Sequence, residues 1–104
     1  MREKGFVAKI INYKGMKMVN LCDEELVGRV IKGNGLEINL SRDYYGDMVI
    51  NSEEALKLVK KSSIINLAGN RIVDLVLKEK LAHELAPKKV GKVSFLMIYK
   101  FKSS

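Results

Sequence analysis

The chain has 104 residues, 47% hydrophobic and 30% charged, which suits one globular domain (residues 1–104) with a real core and excludes a disordered chain. Its apolar runs are broken by Lys, Asn or Gly, and its start, Met1-Arg2-Glu3-Lys4-Gly5, lacks an apolar leader, so neither a membrane span nor a signal peptide is expected. The net charge is +7 and Cys22 is the single cysteine, a pairing that points to a polyanionic partner and a reducing, cytoplasmic setting.

Gly5–Tyr13 is rich in β-branched and aromatic residues and predicts a strand. Lys14-Gly15 supplies a turn, and Met16–Cys22 alternates again, with Met16, Met18, Asn20 and Cys22 on one face. Together they predict a β-hairpin with Lys14 and Lys17 near its tip. Cys22–Gly28 reads as a single helical turn: Asp23 is an N-cap, Glu24 and Glu25 favour the positive end of the dipole, and Gly28 is a stop. Gly33-Asn34-Gly35 is a turn, Leu36–Ser41 an alternating strand, and Arg42–Asp47 a loop carrying Tyr44 and Tyr45.

Asn51–Ser62 predicts a helix, because Asn51 and Glu54 have capping-box spacing, acids lead and lysines trail. A second helix is expected from Ser63 to Leu81, with Ile65, Ala68, Gly69, Ile72, Leu75 and Val76 as its apolar stripe. Asn66, Asn70, Asp74 and Lys78 form its polar stripe, and Gly69 inside it marks a close contact with another backbone. His83–Pro87 breaks that helix, Lys88–Lys92 is a basic loop, and Lys92–Phe101 is a strand apolar on both faces, expected inside the sheet. The predicted order is β-β-α-β-β-α-α-β. It describes an α+β domain with a mostly antiparallel sheet of about five strands and two helices packed on one side.

Little in the chain points to catalysis. Cys22 precedes a helix start, which favours a thiolate, but three acids follow it and its one possible base, His83, lies far along the chain. One Cys and one His do not make a zinc site. Asp43 and Asp47 lack a setting that would separate their pKa values, and Gly33-Asn34-Gly35 lacks the length and the lysine of a phosphate-binding loop. No enzyme activity, cofactor, metal or small-molecule substrate is therefore expected, and Cys22 reads as a small apolar residue at a strand end.

The charge layout is more informative. Arg2, Lys4, Lys9, Lys14 and Lys17 stand against Glu3 alone in residues 1–21, and no acid follows Glu84 while Lys88, Lys89, Lys92, Lys100 and Lys102 do. Two basic ends flank a near-neutral centre. Tyr13, Tyr99 and Phe101 are interleaved with these lysines, as suits RNA: lysines neutralise phosphates and exposed rings stack on bases. The aromatic signature of an RNA-recognition strand is absent. Asn66, Asn70 and Arg71 around Gly69 form a second candidate surface, able to hydrogen-bond phosphate or exposed peptide.

The line through Cys22-Asp23-Glu24-Glu25-Leu26 and Gly28, Tyr45-Gly46, and Asn66-Leu67 with Gly69, Arg71 and Val73 resembles an archaeal family catalogued as domain of unknown function 424, over about Phe6 to Leu81. The resemblance implies a cytoplasmic archaeal protein, and its members' place among translation genes implies a role near the ribosome. The chain departs from the pattern near its end: Phe95, in Lys92-Val93-Ser94-Phe95-Leu96, stands where the family carries a histidine, so no histidine-based site is carried over. Asn66, Gly69 and Arg71 lie within the defining pattern and become candidates for a shared contact surface.

The expectation is a non-catalytic accessory of archaeal translation that binds ribosomal RNA or a ribosomal subunit. Lys14, Lys17, Lys88, Lys89, Lys92, Lys100 and Lys102 would contact phosphates. The alternative is a protein–protein module that docks on a translation factor through the Asn66–Arg71 helix face. An enzyme built on Cys22 ranks far behind both.

Overall fold

The computed structural model describes residues 4–83 and 86–100. Strands β1 (Phe6–Tyr13) and β2 (Met16–Asp23) form the expected hairpin, in register from Phe6 opposite Asp23 to Tyr13 opposite Met16. After a 3₁₀ turn at Glu24–Leu26 come β3 (Val30–Gly33) and β4 (Leu36–Asn39), a separate two-stranded hairpin, and the short helix α1 (Arg42–Tyr45). Then follow β5 (Met48–Ile50), α2 (Ser52–Lys61), β6 (Ile64–Ala68), α3 (Asn70–Lys78), β7 (Lys88–Val90) and β8 (Val93–Tyr99). The main sheet has six strands in the order β5-β1-β2-β6-β8-β7, antiparallel except where β2 and β6 run parallel. The α+β class stands, with a mixed six-stranded sheet in place of the expected five antiparallel strands.

The largest departure is the predicted Ser63–Leu81 helix. Ile64–Ala68 is a central strand, and the helix begins only at Asn70. Ile65 and Leu67 are buried against the helices, while Asn66 points to the opposite face. A short β-branched apolar run fits either period, and here pairing with β2 on one edge and β8 on the other decides for the strand. Gly69, at φ +124°, turns the chain from β6 into α3. The polar stripe is thereby broken: Asn66 is on a strand, and Asn70 and Arg71 open a helix. They share no helix face. Strand β7 (three residues) and α1 were expected as loop, and the three residues of β5 were assigned no element.

Helices α2 and α3 cover one face of the sheet. Phe6, Ala8, Val19, Leu21, Ile65, Leu67 and Leu96 meet Ala55, Val59, Ile72, Val73 and Val76 in the main core. Helix α2 starts with both halves of its capping box: Asn51 Oδ1 accepts from Glu54 N–H at 2.8 Å, and Glu54 Oε1 accepts from Asn51 N–H at 3.2 Å.

The other face is only partly covered. The segment from the 3₁₀ turn to α1 lies over one end of it, where Cys22, Ala68, Leu40 and Tyr45 make a second, smaller core with Leu26, Val27, Ile31, Ile38 and Phe95. Several contacts fix that segment, among them Lys9 Nζ donating to Asp43 O. Asn20 donates to Tyr44 O at 3.0 Å, and the β3–β4 turn meets the β7–β8 turn so closely that a Cβ on Gly33 would stand 2.1 Å from Gly91 N. Asn34 also donates to Lys89 O at 3.0 Å. The rest of this face is open.

Candidate nucleic-acid interface

Side chains alternate along a strand, so the residues that do not face the helices all emerge on the open face. By register these include Lys9, Ile11 and Tyr13 of β1, Met16, Met18 and Asn20 of β2, Val49 of β5, Ile64 and Asn66 of β6, Lys88 of β7, and Phe95, Met97 and Tyr99 of β8, while Val7, Cys22 and Ala68 of the same face are buried. Tyr13, Met97 and Tyr99 are more than half exposed, and Met16 and Tyr44 nearly so. None of these positions carries a carboxylate. An apolar, aromatic sheet surface left in solvent is costly unless something docks on it.

The face has a polar seam. Asn20 is fully buried; its Oδ1 accepts from Asn66 Nδ2 at 2.8 Å, and Asn66 Nδ2 also reaches Tyr44 Oη at 3.4 Å. Asn66 Oδ1 is shielded and accepts no bond. Beside it a cleft of about 440 Å³ opens between α1 and β8, lined by Tyr44, Asn66, Ala86, Lys88, Phe95 and Met97 among others.

The structure divides the expected lysines. Lys14 and Lys17 sit at the β1–β2 end of the sheet, and Lys100 is there too, because Ser63 N–H donates to Lys17 O and Lys100 N–H to Ser63 O at 2.8 and 2.9 Å. Lys88, Lys89 and Lys92 lie at the other end, around the β7–β8 turn. The two basic stretches therefore bracket the open face. Lys14 lies over the Tyr13 ring, 5.3 Å from its centroid. Lys88 is on the open face itself, and Lys17 and Lys89 are on the helix side by register. The Lys100 ammonium is turned inward, donating to Val59 O and, at 3.0 Å, to Lys60 O at the C-terminus of α2. Burial lowers its pKa. Lys102 and Phe101 lie outside the described residues.

Asn70 and Arg71, the other proposed contacts, are occupied within the chain. Asn70 Oδ1 accepts from Ser94 N–H at 2.8 Å and its Nδ2 donates to Lys92 O at 2.9 Å, pinning the β7–β8 turn. Arg71 donates to both carboxylate oxygens of Glu25, with Nε to Oε2 at 2.8 Å, and to Lys4 O and Gly5 O. Its guanidinium also stacks on Phe6, 4.9 Å from the centroid.

The acids after Cys22 belong to the same lock. Asp23 makes no side-chain cap on its own 3₁₀ turn. Its carboxylate instead caps α3, accepting from Arg71 N–H at 3.0 Å and Ile72 N–H at 2.9 Å. Gly69 makes room for it: a Cβ there would lie 2.3 Å from Asp23 Cγ. So Gly69 does mark a close contact, with a side chain rather than a backbone. Burial raises the Asp23 pKa, and the two amide bonds and Arg71 pull it back. The side-chain hydrogen bond to Arg71 lowers that of Glu25. Cys22 is fully buried, and burial, with Asp23 and Glu25 adding to it, pushes its thiol up to about 12. Burial disfavours the thiolate there.

The pattern Asp23, Glu25, Gly69 and Arg71 is thus one structural joint between the first hairpin and α3. The family model for a protein of unknown function (DUF424) matches residues 11–101. The chain belongs to this family. A crystal structure of an uncharacterized conserved protein from Methanopyrus kandleri is similar at 21% identity, covering 95% of this chain and 94% of that one, with a TM-score of 0.80. That likeness shows that the fold of this chain recurs at low identity. No curated protein matches the chain.

Sequence reasoning missed Tyr44, Met97 and Lys9 as members of the exposed face. A usable signal was Asn20, a polar residue between Val19 and Leu21 in an apolar strand. It marks where the sheet's second face meets a backbone carbonyl rather than a core.

Proposed function

We propose that this protein is a non-catalytic accessory of archaeal translation that binds ribosomal RNA across the open face of its sheet. The observation that carries this reading is the display of Tyr13, Tyr44, Met97 and Tyr99 to solvent on a face that has Lys14 at one end and Lys88 toward the other. Single-stranded nucleic acid is bound by this combination: exposed rings stack on bases whatever their identity, and lysines at the margins neutralise phosphates. The absence of carboxylates from the strand positions of that face keeps the approach of a polyanion free of repulsion. Lys14 and Lys88, at opposite ends, are the phosphate contacts the geometry favours. Lys100 is occupied at the end of α2, and Asn70 and Arg71 hold the fold together, which weighs against docking through the Asn66–Arg71 segment.

The test is co-sedimentation of the tagged protein from an archaeal lysate through sucrose gradients at low and high salt. Migration with one ribosomal subunit at low salt, lost at high salt and lost with Tyr13→Ala/Tyr99→Ala, is the expected result. Protein that stays at the top of the gradient at both salts overturns the ribosomal reading.

A further inference from the structure

Within the open face, one place differs from a general stacking surface. The cleft between α1 and β8 has an aromatic wall, Tyr44, which leans edge-on against Tyr45 with centroids 4.9 Å apart. Its floor carries Phe95 and Met97, its mouth carries Lys88, and Asn66 stands at its side. Directly opposite across the ladder, Asn66 pairs with Met97 and Phe95 with Lys88, so acceptor, apolar floor and cation lie on two neighbouring cross-strand rows.

The Asn66 amide is half used. Its Nδ2 is committed to Asn20 Oδ1 and Tyr44 Oη, while Oδ1 is withdrawn from solvent with no donor. A buried acceptor left without a partner is destabilising, on the order of 1–3 kcal/mol, and such exceptions call for an occupant. Tyr44, half exposed and joined to Asn66 by one long bond of 3.4 Å, is the wall able to give way.

We propose that this cleft is the base site of the RNA-binding face: it holds one unpaired nucleobase against Tyr44 and Met97, with an N–H on the base edge donating to Asn66 Oδ1 and the adjoining phosphate on Lys88. The inference rests on the open-face reading and adds to it a specific position where the base edge, and not only its ring, is read. Single-stranded RNA exposes these edges and can deliver a base into such a cleft, whereas a duplex cannot. The fit is to any base with an edge donor, since only the acceptor of the carboxamide is open.

The experiment compares two fluorescently labelled decamers by anisotropy at low salt: an oligoadenylate, and the same decamer built from purine riboside, which lacks the exocyclic amine and has no edge donor. The wild-type protein is expected to bind the oligoadenylate about fivefold more tightly, the worth of one hydrogen bond. Asn66→Ala brings that ratio to one, and Tyr44→Ala weakens both decamers about tenfold, as loss of one stacking partner does. Tyr44→Phe keeps the ring and retains the wild-type affinity. Equal binding of the two decamers by the wild type, or a ratio that survives Asn66→Ala, overturns the base site and leaves the open-face reading standing. Failure of both decamers to bind overturns the two together. The wild-type comparison and the exposed Tyr44 variants decide the matter even where Asn66→Ala does not fold.

Discussion

Gly69 at φ +124° and the Asp23 carboxylate beside it are two halves of one device at the start of α3. The backbone angle suits glycine alone, and a Cβ would displace the group that satisfies two helical N–H donors. Gly69→Ala is therefore expected to destabilise the protein by about 2–4 kcal/mol, from backbone strain together with a lost cap. Asp23→Ala, which leaves two buried donors unmet, is expected to cost about 2 kcal/mol. Urea denaturation followed by circular dichroism checks both, and a loss below about 0.5 kcal/mol for either would deny the joint its structural weight. Cys22 gives the complementary prediction. With its thiol pushed up to about 12 and no exposure, alkylation of the native protein at neutral pH is expected to proceed only through unfolding. Its rate should rise with urea, and a fast reaction of the folded chain would contradict this burial.

At the scale of elements, the Arg71–Glu25 pair ties the 3₁₀ turn and the first strand to α3, and its pH dependence has a definite sign. The folded pKa of Glu25 lies below the ordinary 4.5. The unfolded chain thus takes up the proton first, and the stabilisation, complete well above 4.5, is lost as pH falls through the folded value. Asp23 runs the other way: burial raises its folded pKa, so the native state takes the proton first and gains stability as pH falls through it. Glu25→Gln isolates the first effect, since the amide keeps the shape and removes the charge. It is expected to cost about 1 kcal/mol at pH 7, a value suited to a partly exposed pair, with the gap to wild type closing below pH 4.5. A gap that stays constant down to pH 3 would assign the loss to shape instead. Elements whose signals are local were legible in advance: the first hairpin from alternation and Lys14-Gly15, and α2 from Asn51 and Glu54. Those decided by distant contacts were not. Ile64–Ala68 is a strand because β2 and β8 flank it, and Asp23 caps a helix 48 residues away, which no spacing rule reaches. The same holds for the candidate site, where Tyr13 and Tyr99 stood out beside lysines but Tyr44 joins them only through the fold.

For the molecule as a whole, two kinds of force share one face, and their response to salt lets them be measured apart. Tyr13 and Tyr99 lie toward the hairpin-tip end of the open face and Tyr44 beside Asn66 further along it, while Lys14 and Lys88 stand near its two ends about 20 Å apart, the length of β8 at roughly 3.3 Å per residue. Phosphate contacts release counterions and set the slope of log K against log salt, by about 0.7 per contact on a single strand. Stacking does not depend on salt in this way. Lys14→Gln and Lys88→Gln are each expected to lower the magnitude of the slope by about 0.7, and the double variant by about 1.4. Tyr13→Ala and Tyr99→Ala are expected to weaken binding at every salt concentration with the slope unchanged. Lys100 sets the contrast, because its ammonium is spent on the last carbonyls of α2, where a cation opposes the helix dipole. Lys100→Met is expected to lower stability by about 1 kcal/mol while the salt slope stays where it was. Should Lys100→Met change the slope as much as Lys88→Gln does, the RNA must reach the end of the sheet beneath α2, and the binding surface would have to be redrawn around that end.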